Sequence, residues 1–374
     1  MSRVKRAAHA SDPAAAVPRW SRRQFLQTTG LLSLAGVSGP LLAGCGSGEA
    51  SGDEKSLTFV AWGGTQEKNT IKTLFKPWAH KNGVTMQSDA PTNYAKFRTQ
   101  VKSGKVSWSI VQVEPFFATQ ACDNGWATKL DFDKIDASAV EDKFVIDCAI
   151  PILQYAFTIA YNTDKYSKDN HPTTWEEFFD TKQFPGKRAF WKYATSTTFE
   201  AALLADGVGP QDLYPLDVDR ALRKLDTIRD HIVWYDTGEQ QVQLLASGEA
   251  PLVQAWNGRV FQAAQQGRPV ANEWNEHFLS YEQLLIPKGY GNASLAQKWM
   301  NWYLNAPKAQ AEFAETTAYA APNPKFMDYV DETVAKELPT YPKNKEKRAA
   351  VVDYPYYAKH YDELTKQLNS WISG

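Results

Sequence analysis

The chain has 374 residues with 41 Lys and Arg against 42 Asp and Glu, a net charge of −1 that excludes both a strongly basic nucleic-acid binder and an acidic disordered tail. Its 43% hydrophobic and 13% aromatic content is enough for a core of about two ordinary domains, and a mean hydropathy of −0.47 excludes a polytopic membrane protein. Residues 1–44 hold six bases (Arg3, Lys5, Arg6, Arg19, Arg22, Arg23) against one acid, Asp12, so the remainder carries 35 bases and 41 acids, a surplus that favours cationic solutes only weakly.

Residues 1–44 read as an export signal. Arg22-Arg23 precedes the apolar pair Phe25-Leu26, and a Leu, Ala, Gly and Ser run follows from Leu31 to Ala43, too short and too Gly-rich for a membrane span. The paired arginines resemble a twin-arginine signal, which exports a folded chain. The run closes on Leu42-Ala43-Gly44-Cys45, which looks like a lipobox with Cys45 as the lipid attachment site; the alternative is an ordinary small-residue cleavage site with an incidental cysteine. Residues 45–55, with Gly46-Ser47-Gly48 and Ser51-Gly52-Asp53, read as a flexible tether.

The body then alternates strand and helix. Ser56–Trp62 alternates like a strand, Gly63-Gly64-Thr65 turns into a helix over about 67–80, and Val84–Ser88 is the next strand. A helix follows over 93–102, a strand over 108–113, a helix over 116–124 and a strand over 156–161. A second set has a strand at 187–191, helices over 198–206 and 218–230, a strand at 232–235, a helix over 240–246, a strand at 251–256, a helix over 259–266, and two strands near Val270 and Leu284. Residues 294–317 are helical, divided by Pro307, with Leu295, Trp299, Trp302 and Tyr303 at helical spacing reading as core. This order argues for an α/β body with a largely parallel sheet, in two lobes.

Cys122 and Cys148 are the two cysteines of the body; an even pair in an oxidising compartment suggests a disulfide, and two buried thiols are the alternative. The histidines show no HxH or HExxH spacing, so no metal site is expected. Nor is there a GxSxG elbow, a P-loop or a Rossmann fingerprint, so no cofactor is expected and an enzyme would have to work through a carboxylate pair.

Several segments carry a resemblance: Phe59-Val60-Ala61-Trp62, Thr174-Trp175-Glu176-Glu177-Phe178-Phe179, Phe184-Pro185-Gly186-Lys187, Trp256-Asn257-Gly258, Leu284-Leu285-Ile286-Pro287-Lys288-Gly289 and Tyr319-Ala320-Ala321-Pro322-Asn323. In order and spacing, from about Ser56 to Ser373, the chain resembles the solute-binding proteins of spermidine/putrescine-type ABC importers. The resemblance implies a two-lobed periplasmic-binding-protein fold of type II with the ligand cleft between lobes: 56–158 with 284–322 as lobe 1, and 159–283 with 323–374 as lobe 2. It implies a receptor rather than an enzyme, lipid-anchored in the periplasm or on the outer face of the cell membrane, delivering a small solute to an ABC permease and its ATPase. An exported enzyme, or a ligand-sensing partner of a membrane receptor, is the alternative. One pair of lobes suffices for capture, so a monomer is expected, with no nucleic-acid partner.

The resemblance also nominates ligand-binding residues. Trp62, Trp256 and Tyr319 match family aromatic positions, and Glu282 matches the acid that meets an amine. Glu114 stands where relatives place a small polar contact, with Phe116 as an aromatic wall beside it. Where polyamine binders carry two acids before a helix, this chain reads Tyr193-Ala194-Thr195-Ser196-Thr197-Thr198, without a carboxylate. That hydroxyl cluster, Thr197 included, with Lys192 or Arg259, suits a ligand carboxylate, which points from a long polyamine toward an amino-acid-like amine such as a γ-amino acid.

Overall fold

The structure is a computed structural model and describes residues 55–374. The signal, Cys45 and nearly all of the tether lie outside the described residues. Nine strands form one sheet: β1 (Ser56–Val60), β2 (Thr85–Asp89), β3 (Ile110–Val113), β4 (Ala149–Asn162), β5 (Arg188–Trp191), β6 (Ile232–Tyr235), β7 (Leu252–Trp256), β8 (Val270–Leu285) and β9 (Arg348–Val351). The order is β2-β1-β3-β8-β4-β7-β5-β6, with β9 beside β8.

The two outer sets are parallel, β2-β1-β3 on one side and β6-β5-β7 on the other. At the centre β8 runs antiparallel to β3 and β4, and β4 antiparallel to β7. The sheet is therefore mixed rather than largely parallel. Its two long central strands belong to both sets, and sequence alternation cannot reveal strand direction. The two strands expected near Val270 and Leu284 are one strand of 16 residues. Its polar middle, Glu273 to Glu276, reads as a break, and Glu276 does take a left-handed φ of 55° there, but pairing resumes at Phe278.

The first set packs its helices around an aromatic stack. Phe59 of β1 lies on Phe75, Phe75 on Trp299 and Trp299 on Tyr303, with ring centroids 4.3, 3.9 and 5.2 Å apart. The aromatic stripe of the 294–317 region is therefore core, and its two helices are Ala293–Leu304 and Pro307–Thr317. In the second set the fully buried Arg188 gathers four carbonyls, donating to Phe178, Gly186, Asp180 and Phe184 at 2.6–3.0 Å. That arrangement explains the Trp175–Phe179 and Phe184–Lys187 segments as architecture. Each carbonyl would otherwise be a buried acceptor without a donor.

Cys122 and Cys148 are brought together with Cα atoms 5.9 Å apart, a span a disulfide bridges. A helix absent from the sequence reading, Tyr354–Ser373, closes the chain and lies against helix Pro115–Asp123. It is tied to the second set through Glu200, whose Oε1 accepts from the hydroxyls of Tyr214 (2.6 Å) and Tyr357 (2.8 Å). No helix among the described residues is long and apolar enough to cross a membrane.

Candidate functional site

Loops at strand ends from both sets converge beside the central strands. Trp62 follows β1, and its indole Nε1 donates to Glu282 Oε2 of β8 at 2.8 Å. Gln112, on β3, donates its amide to the same oxygen. Burial pushes the Glu282 carboxyl up to about 8; the Gln112 and Trp62 bonds pull it down, Glu114 raises it and Arg259 lowers it. A carboxyl held this way is neutral at pH 7 until a cation arrives beside it, when ionisation becomes favourable.

The Trp256-Asn257-Gly258 segment is built for close approach. Asn257 Oδ1 accepts from Ala156 N of β4 at 2.9 Å while its Nδ2 donates to Ala318 O at 2.8 Å, joining three distant segments through one buried amide. A Cβ on Gly258 would run into Thr317 O and the Tyr319 ring, so glycine is what lets Tyr319 lie on the first turn of helix Asn257–Gln265. Ala318 supports the same turn with a left-handed φ of 52°, a strained value for a residue with a Cβ. Burial pushes the Tyr319 hydroxyl up to about 12, and Arg259 beside it pulls it down.

Arg259 lies at the meeting of the two sets. Its side chain is 14% exposed and pairs at 3.4 Å with Glu239, which is 66% exposed. A Cβ on Gly64 would stand 2.7 Å from Glu239 Oε1 and 3.4 Å from the Arg259 guanidinium, and one on Gly238 would stand 2.7 Å from Arg259 Nε. Two glycines, one from each set, thus make the slot that Arg259 occupies. Lys192, the other cation considered, pairs instead with Asp236 at 2.6 Å on the surface.

Glu114, after β3, is 7% exposed. Tyr94 donates to its Oε2 at 3.3 Å and accepts from its backbone N–H at 3.2 Å. Burial pushes this carboxyl up to about 7, with Thr195 and Tyr94 opposing the rise. Yet Glu114 Oε1 and Thr195 Oγ1 are both sealed from solvent with no hydrogen-bond partner among the described residues. Phe116 is fully buried between Tyr94 and Tyr361 of the last helix, at 5.7 and 4.1 Å. Thr197 is fully buried too, in a left-handed conformation of φ 60°, its hydroxyl accepting from Gln254 at 3.1 Å. The hydroxyl near Glu114 is that of Thr195.

Trp256 is partly buried in an aromatic wall with Trp191 (4.9 Å), Tyr235 (6.0 Å) and Phe157 (6.4 Å). Phe157 leads through Tyr155 (5.5 Å) to Tyr319 (5.9 Å), so one face of β4 links the two aromatic regions. Of the nominated residues, Trp62 and Glu282 are in direct contact and Tyr319 lies close enough to Glu282 to feel its charge; Glu114 with Phe116 forms a neighbouring cluster, and Trp256 joins through the wall. Gln112, Tyr94, Tyr155 and Phe157 escaped the sequence reading. The signal for the last two was their spacing of two on one strand. Among the described residues no cluster of His, Cys, Asp and Glu could hold a metal ion.

The chain is similar to known proteins over most of its length. Residues 73–345 match the model of the bacterial extracellular solute-binding protein family. The γ-aminobutyric acid-binding protein of Pseudomonas aeruginosa is 31% identical over 87% of this chain and 93% of its own. The solved structure of the Atu4243-GABA receptor is 37% identical with a TM-score of 0.79, covering 85% of this chain and 97% of its own. An ABC transporter substrate-binding protein from Bradyrhizobium japonicum is 35% identical with a TM-score of 0.80, over 85% and 99%.

Proposed function

The chain belongs to the bacterial extracellular solute-binding protein family, and from that premise we propose that its solute is an ω-amino acid of the γ-aminobutyrate kind. The observation that carries this reading is an acid and a guanidinium beside one buried hydroxyl: Glu282, protonated without a solute, and Arg259 both act on Tyr319. An ammonium beside Glu282 gains a carboxylate and the Trp62 face, together worth several kcal/mol once desolvated. A carboxylate beside Arg259 gains a planar fork of donors. An amine-free solute gives Glu282 no cation to ionise against, and a long polyamine places a cation against Arg259.

Thermal unfolding against γ-aminobutyrate, putrescine, spermidine and the common amino acids tests it. A solute at 100 times its Kd stabilises the native state by about 2.7 kcal/mol. We expect that shift with γ-aminobutyrate and its loss in Arg259→Gln; a shift with spermidine alone overturns the reading. The unpartnered Glu114 oxygen favours a second reading, a diamine with its other ammonium at Glu114 and Thr195. Putrescine giving the larger shift, abolished in Glu114→Gln, supports it.

The same proposal extends to the setting. The receptor delivers its solute to an ABC permease and ATPase and acts as a monomer rather than an enzyme. The lobes are 56–158 with 284–322 and 159–283 with 323–374; the break in β4–β8 register between Phe157 and Ile159 supports the first boundary. The twin-arginine-type signal and the Leu42–Cys45 lipobox support a lipid anchor on Cys45. Release of a Cys45→Ser variant from washed membranes tests the anchor.

A further inference from the structure

Away from the cleft the described residues enclose a cavity of about 180 Å³. Its position is the first clue. Gln154 of β4 and Leu279 of β8 line it, and both lie where the central strands run between two register irregularities, at Pro151/Leu153 and Phe157/Ile159. Gln154 also exchanges both backbone hydrogen bonds with Ala320, at 2.8 and 2.9 Å, and Ala321 and Pro322 line the cavity next to it. The cavity is thus walled by both central strands and by the Ala321-Pro322 segment beside Gln154's partner Ala320. Rotation of one set against the other must change its shape.

The second clue is its charge. The half-buried Arg348 guanidinium lines it and has no hydrogen bond or ion pair among the described residues, and burial holds its pKa below the usual arginine value. Lys345 also lines it unpaired; Glu141, the acid present, pairs with Lys143 at 2.7 Å on the surface and acts on Arg348 by its charge without a hydrogen bond or ion pair to it. Thr340 adds a hydroxyl sealed from solvent with no partner among the described residues. A half-buried guanidinium without a partner is stabilised by an anion that joins it, and a fork of N–H donors flanked by an ammonium and a hydroxyl matches a carboxylate or phosphate group.

We propose that this cavity binds a small oxyanion, a carboxylate or phosphate held by Arg348, Lys345 and Thr340, and that its occupancy is coupled to rotation of the two strand sets. The site does not depend on which solute occupies the cleft.

Titration calorimetry of inorganic phosphate and of succinate into the purified protein tests it. Saturable binding of one of them is expected, weakened at least about tenfold in Arg348→Gln. Lys345→Gln alters an exposed side chain and checks that the loss is not misfolding. Glu282→Gln, which disables the proposed amine contact, retains the anion. Small-angle scattering with and without the anion reads the coupling, with a changed radius of gyration expected in wild type and none in Arg348→Gln. Absence of saturable binding of either anion below about 10 mM, or wild-type affinity in both Arg348→Gln and Lys345→Gln, overturns the site. Loss of binding in Arg259→Gln with retention in Arg348→Gln also overturns it, by moving the anion to the cleft. An unchanged radius of gyration on binding overturns the coupling.

Discussion

Glu282 concentrates the chemistry of the cleft in one titration. Its carboxyl is raised to about 8 without a solute, so at pH 7 it is largely protonated, and an arriving ammonium favours the ionised form. Amine binding therefore releases a proton, and calorimetry in buffers of different ionisation enthalpy should find up to one proton per solute at pH 7. Glu282→Gln should abolish that release and weaken amine binding by about 2–5 kcal/mol, the cost of breaking a buried charge pair. Stability follows the same linkage. A folded pKa above the ordinary 4.5 favours the native state below about pH 4.5, and that contribution fades as pH rises toward 8. Bound amine reverses the loss, so the solute-induced rise in melting temperature should be greater at pH 8 than at pH 5. His277 acts with the opposite sign. Fully buried on β8, with Nδ1 against Trp274 O at 2.8 Å and Nε2 unpartnered among the described residues, it is lowered by burial to about 4. It contributes on the order of 3 kcal/mol above pH 6.5, lost as pH falls toward 4. Replacing it with Gln should flatten the acid side of a urea-stability profile between those values. Gly258→Ala, by contrast, acts through shape: its Cβ meets Thr317 O and Tyr319. Expected are a loss of about 1–3 kcal/mol in urea unfolding and weakened solute binding as Tyr319 is displaced.

At the scale of elements, the fold sets Cys122 of helix Pro115–Asp123 beside Cys148 at the start of β4, 26 residues apart in sequence, so that a disulfide there would fasten the two. If oxidised it should add roughly 3–4 kcal/mol by restricting the unfolded chain. Thiol titration of the unfolded, unreduced protein should then find neither cysteine free, and Cys148→Ser should lower the urea midpoint accordingly. Most elements could be read from local chemistry. Asn93, Thr174 and Thr237 each accept a backbone N–H as helix caps, and Gly83 and Gly248 end helices in left-handed conformations. The failures are decided in part by distant partners. β8 reads as two strands because its middle, Trp274 to Glu276, leaves the β4 ladder and is held instead by the distant Trp175, which donates to Glu276. The last helix carries Tyr354, Tyr357, Tyr361, Leu364 and Leu368 at helical spacing, a local signal the sequence reading passed over, while its docking to Glu200, more than 150 residues away, shows only in the folded chain. The site divides the same way. Trp62, Glu282 and Tyr319 stand out because they sit in recognisable segments, while Gln112 and Tyr155 look like ordinary strand residues until the sheet is assembled.

For the whole molecule, two strand sets share central strands, and on the proposed function solute capture and rotation of the sets are one process. Small-angle scattering should record a smaller radius of gyration with γ-aminobutyrate bound, and the decrease should vanish in Arg259→Gln. Gly64 tests the mouth of the cleft separately: its φ of 72° and its closeness to Glu239 and Arg259 leave no room for a side chain. Gly64→Val should hinder closure and weaken binding without altering the carboxylate chemistry at Glu282. One feature of β8 sets the scale of that motion. Glu282 lies four residues beyond Phe278, about 14 Å along a strand that itself runs between the two sets. On the proposed binding mode the solute's amine is therefore gripped about four residues from the break in pairing, while Gly64 and Glu239 stand together beside Arg259. A body that closes by turning about such a break works as a lever: a difference in solute length where the amine is held becomes a larger displacement further from the axis. Solutes one methylene apart would thus differ in the outline the loaded molecule presents to its membrane partner as well as in how tightly they are held.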